Sequence, residues 1–449
     1  MASLVVQGGA VVTGDGETMI SNGALLLEGE TVADVLTGPP RPDLIASADV
    51  VLDAAGGVIM PGFVNNHAHA LTAGPRFASG APSVGLEQAL RNLDRHLLEG
   101  TTSLMNACGF CTADEVAQAD RLHPINVRPA TIHTPLNLRA AEIADGSGLA
   151  ERHKRMTMAE MVERGAVGIG EVGAGHTLAG GGADYMYIPA RVKAATGRDI
   201  QRDQAAILKY AVLGRYADPS QYDAARVQQA LEQIGLADVL APEAARELIE
   251  EVVLPAFGTA LEGLPEAGEY GRRFGLPVMV HNSAPSARVV LELAQAGTDL
   301  VAGHSNHGTF LQDEACEQAR SLRALGAKVD ISTLGVFRGP QEEEQLFCRM
   351  IREGLVDTIS TDYNAGDHDP MPLAIERCLK SGAATLPRLV ALATRNVASA
   401  FPKLAPNRGE LARGRVADIV VTDLPRISNV RHVVVGGRVV VSGGALARG

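Results

Sequence analysis

The chain has 449 residues, 46% hydrophobic and 20% charged, and its 40 basic against 52 acidic side chains give a formal net charge of −12. Such material rules out a disordered or fibrous protein and suffices for one large closed α/β barrel with additions, or for two domains. No run of Lys or Arg offers attraction to a phosphate backbone, so no nucleic-acid partner is expected. The opening residues carry no charged leader before an apolar run, and no segment approaches the ~18 uninterrupted apolar residues a membrane-spanning helix needs. The expectation is a soluble cytoplasmic protein with no membrane partner. Five cysteines, an odd number in a long chain, agree with a reducing compartment. Cys108-Gly-Phe-Cys111 has no second C-x-x-C to complete a zinc site and is read as neither a metal nor a redox motif.

In chain order, short β-rich runs with glycine turns come first, at Ser3 to Thr13, Ala24 to Leu36 and Val50 to Ile59. Similar runs close the chain: Gly414 to Thr422 reads as a buried strand after a turn, and Val430 to Ser442 as a hairpin turning at Gly436-Gly437. The two ends are expected to pair in one small β-sandwich domain, residues 1–60 with 400–449. Between them, over residues 61–399, apolar strand-like runs alternate with helical segments, the pattern of parallel strands joined by crossover helices. Eight such strands end near His69, Asn106, His133, Glu171, Asn282, His304, Thr333 and Asp362. The fold class is therefore α/β, a (β/α)8 TIM-like barrel carrying a small β-sandwich domain, with its chemistry expected at the C-terminal strand ends. From His176 to about Pro265 a glycine-rich loop and a mainly helical stretch interrupt the alternation. Asp203 to Tyr216 and Tyr222 to Ile234 have the spacing of amphipathic helices. An insertion there serves as a lid, an oligomer contact or simple decoration; its sequence does not choose.

The chemistry-bearing residues cluster at the predicted strand ends. Residues i and i+2 of a strand share a face, so His67 and His69 can grip one metal ion. A bare H-x-H is weak evidence, but Glu171 ends the fourth strand, His281 the fifth, His304 the sixth and Asp362 the eighth. Imidazoles and carboxylates converging on one cavity are costly without a cation, and these six can serve two divalent ions. His307, three residues beyond His304, is placed to polarise a carbonyl or is an ordinary loop histidine. Arg76, Arg139 and Arg338 follow strands one, three and seven, where an arginine can recognise a substrate carboxylate or simply face solvent. Tyr363, His368 and Asp369 follow strand eight and are read only as possible shapers of the pocket.

The stretch from Asp53 through Met60-Pro-Gly-Phe-Val-Asn-Asn-His67-Ala-His69, the barrel, and the closing Gly409 to Val421 segment resemble the amidohydrolase superfamily of metal-dependent barrel hydrolases almost end to end. Many two-metal members carry a carboxylated lysine on the fourth strand, whereas this chain has Glu171 in Gly170-Glu-Val-Gly173. That pattern, with Met279-Val-His281, Gly303-His304-Ser-Asn-His307 and Asp362, is similar to the enamidase branch. Enamidases hydrolyse a cyclic enamide in nicotinate breakdown at a zinc and iron site. The resemblance implies His67, His69 and Asp362 on one ion, His281 and His304 on the other, and Glu171 bridging, with the long insertion a departure that bears on the substrate. The expected cofactor is two divalent ions: zinc first, with a zinc and iron pair, manganese or cobalt as alternatives. The expected activity is hydrolysis of a C–N bond in a cyclic amide, enamide or related small molecule by a metal-bridging hydroxide, with Asp362 shuttling the proton. Two other readings stand beside it: a deaminase of an aminated heterocycle, although His281 is followed by Asn-Ser-Ala-Pro rather than an acidic residue, and a noncatalytic scaffold. A homo-oligomer is expected from the resemblance.

Overall fold

The structure, a computed structural model, describes residues 3–178, 183–184, 186–364, 366 and 368–447. Part of the glycine-rich loop after His176, residues 179–182, lies outside the described residues, as do 1–2 and 448–449 at the ends of the small domain. That domain begins with β1 (Ser3–Val12), β2 (Met19–Glu28), β3 (Thr31–Leu36), β4 (Val50–Asp53) and β5 (Val58–Pro61). The expected single run from Ala24 to Leu36 is thus two strands, because Gly29, at φ 58°, turns the chain back on itself. The barrel follows as β6 (Phe63–Ala68), β7 (Thr101–Asn106), β8 (Asn126–Thr131), β9 (Gly168–Val172), β10 (Val278–His281), β11 (Leu300–Gly303), β12 (Lys328–Ser332) and β13 (Thr358–Ser360). The chain closes with β14 (Ile419–Thr422), β15 (Val430–Val435), β16 (Arg438–Ser442) and β17 (Ala445–Leu446).

Both termini share one nine-stranded sheet, joined where β14 pairs antiparallel with β5. Its inward side chains, among them Val6, Leu25, Leu52, Ile59, Ile419 and Val434, pack on one another in a core of their own. The eight barrel strands are parallel, and β6, β9, β10 and β11 are buried at every position, as expected for strands covered on both faces. Val64, Met105, Ala130, Val167, Met279 and Val301 fill the barrel's N-terminal end together with Val397, Phe401 and Leu404. Gly168 admits the Phe401 ring, since a Cβ there would lie 2.8 Å from it. With that end plugged, only the C-terminal mouth is left for chemistry.

The barrel closes between its first and last strands through the Asp362 N–H donating to the His67 carbonyl at 2.9 Å and the His69 N–H donating to the Tyr363 carbonyl at 2.7 Å. The connection from β9 to β10 holds helices Tyr187–Thr196, Arg202–Leu213, Ala224–Gln233 and Pro242–Phe274. The last, 33 residues long, runs through Pro255 and Pro265 and stops only at Gly275, so the end of the inserted stretch and the crossover onto β10 are one element. It lies against helix Pro135–Ala144, where Asn137 donates to the Gly263 carbonyl at 3.1 Å and Gly263 leaves the room for that approach. No helix of the described residues is long and apolar enough to cross a membrane.

The joining of the chain ends yields a test. Gly437 has φ 75°, and a Cβ there would meet the Gly29 carbonyl oxygen at 1.9 Å. Gly437→Ala should cost about 1–3 kcal/mol, read as a lower denaturant midpoint with unchanged slope. A midpoint equal to wild type would show that the two hairpin turns do not pack this closely.

Candidate metal centre

Six side chains from five strand ends meet at the mouth. Glu171 divides its carboxylate between two groups. Its Oε1 lies 2.7 Å from His281 Nδ1 and 2.9 Å from His304 Nε2. Its Oε2 lies 3.4 Å from His67 Nε2 and 3.6 Å from His69 Nε2. His67 and His69 present their Nε2 atoms 3.1 Å apart, and Asp362 Oδ1 is 3.5 and 3.3 Å from them. Asp362 Oδ2 reaches back to His304 Nδ1 at 3.6 Å. All but Asp362 are essentially inaccessible, while the Asp362 side chain keeps 15% of its surface exposed toward the mouth. His304 and Asp362 hold left-handed backbone conformations, φ 55° and 47°, of the kind that persist at functional sites because their surroundings enforce them.

The arrangement fits metal ions. Ligand atoms bonded at ~2.0–2.1 Å around a tetrahedral ion lie roughly 3.3 Å from one another. The contacts of Glu171 Oε2, Asp362 Oδ1 and the His67 and His69 Nε2 atoms, 3.1 to 3.6 Å, bracket that value. The Oε1 group is tighter. Several of these imidazoles also have a buried nitrogen without a hydrogen-bond partner, His67 Nδ1, His69 Nδ1 and His281 Nε2.

The electrostatics show what the ions would replace. Burial would raise the Glu171 carboxyl, but His67 and His281 and the hydrogen bonds from His281 and His304 hold it well below the usual range. Burial likewise opposes ionisation of Asp362, yet His304 and His67 bring it down to about 2. Against the cost of burial, Asp362 and Glu171 raise His304 to about 9, and Glu171 and Asp362 raise His67. His281 is lowered because burial outweighs Glu171. Beneath the cluster, Asp330 accepts from Thr358 Oγ1 and Ser360 Oγ, both at 2.7 Å, in a polar layer above the apolar plug.

His307 joins this cluster, its ring 5.2 Å from that of His281. Its Nδ1 receives the Thr309 backbone N–H at 3.2 Å. It also lies 2.8 Å from Thr309 Oγ1, which itself accepts the Ala284 N–H at 3.0 Å and so turns its proton toward His307. Nδ1 is therefore an acceptor and Nε2 carries the proton. Burial first, then His281 and His304, hold this imidazole neutral, far below the ordinary histidine value. The arginines divide. Arg76 lies over Phe77, 5.1 Å from the ring centroid, and Phe77 stands 5.6 Å from the His69 ring, so Arg76 is at the mouth. Arg338 is held by the buried Asp369, Nε to Oδ1 at 3.2 Å. Arg139 is exposed on helix Pro135–Ala144 and takes no part in the contacts of the cluster.

Other residues of the mouth carry no sequence signal of their own. His176 stacks on Phe77 at 5.1 Å and meets Tyr187 edge-on at 5.6 Å, forming an aromatic wall beside His69. Burial lowers His176 to about 4, so the wall is uncharged. From the inserted stretch, Lys209 and Asp184 form a buried ion pair at 2.9 Å, and Arg215 donates to the Thr309 carbonyl at 2.8 Å. His176 lies four residues beyond the end of β9. The strand-end His133 turns away toward Phe110 and hydrogen-bonds with Thr131 Oγ1 at 3.0 Å. The C-x-x-C thiols are buried and bond to loop oxygens, Cys108 to the Arg76 carbonyl at 3.0 Å and Cys111 to that of Pro75 at 3.2 Å.

No protein-family profile matches the chain. One curated relative, the 5'-deoxyadenosine deaminase of Methanococcoides burtonii, is 42% identical over 71 residues, 16% of this chain and 15% of that protein. Solved structures match along the whole length. A β-aspartyl dipeptidase of Fervidobacterium islandicum AW-1 superposes with TM-score 0.56 at 14% identity over 100% of this chain and 98% of its own. The L-hydantoinase (dihydropyrimidinase) of Arthrobacter aurescens gives 0.54 at 16%, over 100% and 98%. An N-isopropylammelide isopropylaminohydrolase of Burkholderia multivorans gives 0.54 at 15%, over 100% of both. At such identities the likeness establishes the barrel with its added sheet domain.

The charge states give a further test. His304, raised to about 9, carries its proton at neutral pH in the metal-free protein. A ligating imidazole is neutral, so an ion must displace that proton, and its affinity rises with pH until the folded pKa is passed. Zinc affinity of metal-free protein, measured against a competing chelator, should rise about tenfold per pH unit per displaced proton between about pH 6.5 and 8.5. An affinity that does not change with pH would contradict the protonation assigned to the cluster.

Proposed function

We propose that the chain is a metal-dependent hydrolase of the amidohydrolase superfamily, cleaving a C–N bond in a cyclic amide, enamide or related small molecule. The observation that carries this reading is the division of Glu171, one oxygen with His281 and His304 and the other with His67, His69 and, through them, Asp362. Two divalent ions, zinc foremost, would be held by these groups with Glu171 between them. Bound there, they supply Lewis-acid polarisation of a carbonyl and render water acidic enough to serve as a nucleophile near neutral pH. The hydantoinase and the isopropylaminohydrolase among the structural neighbours support C–N chemistry on this scaffold.

The protein's own groups divide the remaining work. Asp362, ionised and the most accessible of the six, takes the proton of the attacking water and returns it to the departing nitrogen. For an enamide the released enamine then tautomerises to an imine. His307, fixed as the Nε2–H tautomer, donates to the substrate carbonyl oxygen as negative charge gathers there. Phe77, His176 and Tyr187 pack against the flat ring of the substrate. Arg76, at the rim of this wall, is placed for a substrate carboxylate. A homo-oligomer is proposed on the family resemblance alone.

The short match to a deaminase favours deamination of an aminated heterocycle as the second reading. Against it, His281 leads into Asn282, whose amide bonds to Ser305 at 3.1 Å, and offers no acid at that place. Incubation with hydantoins, dihydropyrimidines and cyclic enamides, followed by mass spectrometry, should show addition of one water with the nitrogen retained for the cyclic amides, and for an enamide the same addition followed by loss of ammonia as the imine takes up a second water. Ammonia released from aminated purines and pyrimidines, with the cyclic amides untouched, would establish the deaminase instead. On the substrate found, Asp362→Asn should lower kcat by about 10³-fold or more with little change in KM. Near-normal turnover would remove Asp362 from the proton transfer.

A further inference from the structure

A second ligand cluster lies behind the mouth, on the seam where the barrel closes. His96 and Glu99 stand at the C-terminal end of helix Leu86–Leu98, which leads out of β6, and His368 comes from the loop leading out of β13. One potential ligand atom from each lies within 4.8 Å of the others. Residues three apart on a helix share a face, which directs His96 and Glu99 to the same point. His368 Nε2 sits 2.6 Å from Glu99 Oε2, and the His96 and His368 rings are 5.5 Å apart. The Tyr363 ring meets both edge-on, at 4.9 and 4.8 Å, and separates the cluster from Asp362 next to it in the chain.

What points to a ligand is His96. It is completely buried, and neither of its ring nitrogens has a hydrogen-bond partner; His368 Nδ1 also has none. Buried polar atoms are almost always paired, and an imidazole lone pair facing a carboxylate and a second imidazole is the donor set of a divalent transition ion. The carbonyl end of a helix favours positive charge at the same place. The Glu99 side chain is 22% exposed, which leaves solvent for the remaining coordination position.

We infer that His96, Glu99 and His368 hold a divalent ion, zinc foremost, that clasps the helix after β6 to the loop after β13 and pins the barrel seam behind Asp362. It shares no ligand with the centre at the mouth. The ion closes a chain segment of some 270 residues, and its contribution is structural, holding Tyr363 and through it the strand end that presents Asp362. Arg95, whose Nη1 donates to the Gly366 carbonyl at 3.1 Å, ties the same loop to the same helix.

The test is zinc content per chain by elemental analysis after saturation and removal of excess metal, for wild type, His96→Gln, Glu171→Ala and the double variant carrying both substitutions, in parallel. The expected result is three ions in wild type and two in His96→Gln, with Glu171→Ala keeping an ion that the double variant loses. Equal contents in wild type and His96→Gln would overturn the inference and leave a buried water as the partner of His96. An ion lost in His96→Gln while Glu171→Ala loses none would uphold the clasp and sink the two-ion reading of the mouth; the converse would do the opposite. Should His96→Gln fail to fold, Glu99→Gln, at the partly exposed corner, carries the same comparison. The rise in wild-type Tm on adding zinc should likewise shrink in either variant, and an undiminished rise would count against the clasp.

Discussion

A carboxylate taken out of water must be met by positive charge or by hydrogen-bond donors. Glu171, buried with both oxygens surrounded by imidazoles, meets that demand in two directions at once, and the whole mouth of the barrel is organised around it. In the absence of metal, the proton on His304 supplies compensating charge, and Glu171 and Asp362 raise His67 in the same direction. In the proposed enzyme two divalent ions would supply it instead, competing with the proton on His304 at neutral pH.

The scaffold serves that constraint at each level. Helix Arg395–Ala400 and Phe401 plug the far end, so the barrel interior changes from apolar packing through the Asp330 layer to the ligands over a few residues. The seam is closed by backbone hydrogen bonds that involve candidate ligand residues, Asp362 to His67 and His69 to Tyr363. The same residues close the barrel and line the candidate site. The inserted helices reach the same rim through Arg215 and Lys209, and the aromatic wall of Phe77, His176 and Tyr187 is completed only where the insertion returns to it.

Much of this was legible in the sequence because it depends on local periodicity. Each barrel strand ends within a residue or two of a polar side chain, and the alternation along β6 and the residue after it places His67 and His69 on one face. Other features depend on contacts between distant segments, to which periodicity is blind. The tautomer of His307 is set by Thr309, which is oriented in turn by the Ala284 N–H from another loop. His96 and Glu99 read as ordinary helix residues until His368 arrives from the other side of the seam. His133 has the same strand-end position as the ligands, yet its hydrogen bond to Thr131 leaves it facing Phe110. Arg139 likewise occupies a suggestive place in the chain and an exposed one in space.

Anomalous diffraction from crystals grown with zinc, recorded at the zinc edge, tests the central claim most directly. The account predicts two strong peaks flanking the Glu171 carboxylate, one beside His281 and His304 and the other beside His67 and His69. A single peak touching only one of those groups, or none at Glu171, would contradict it.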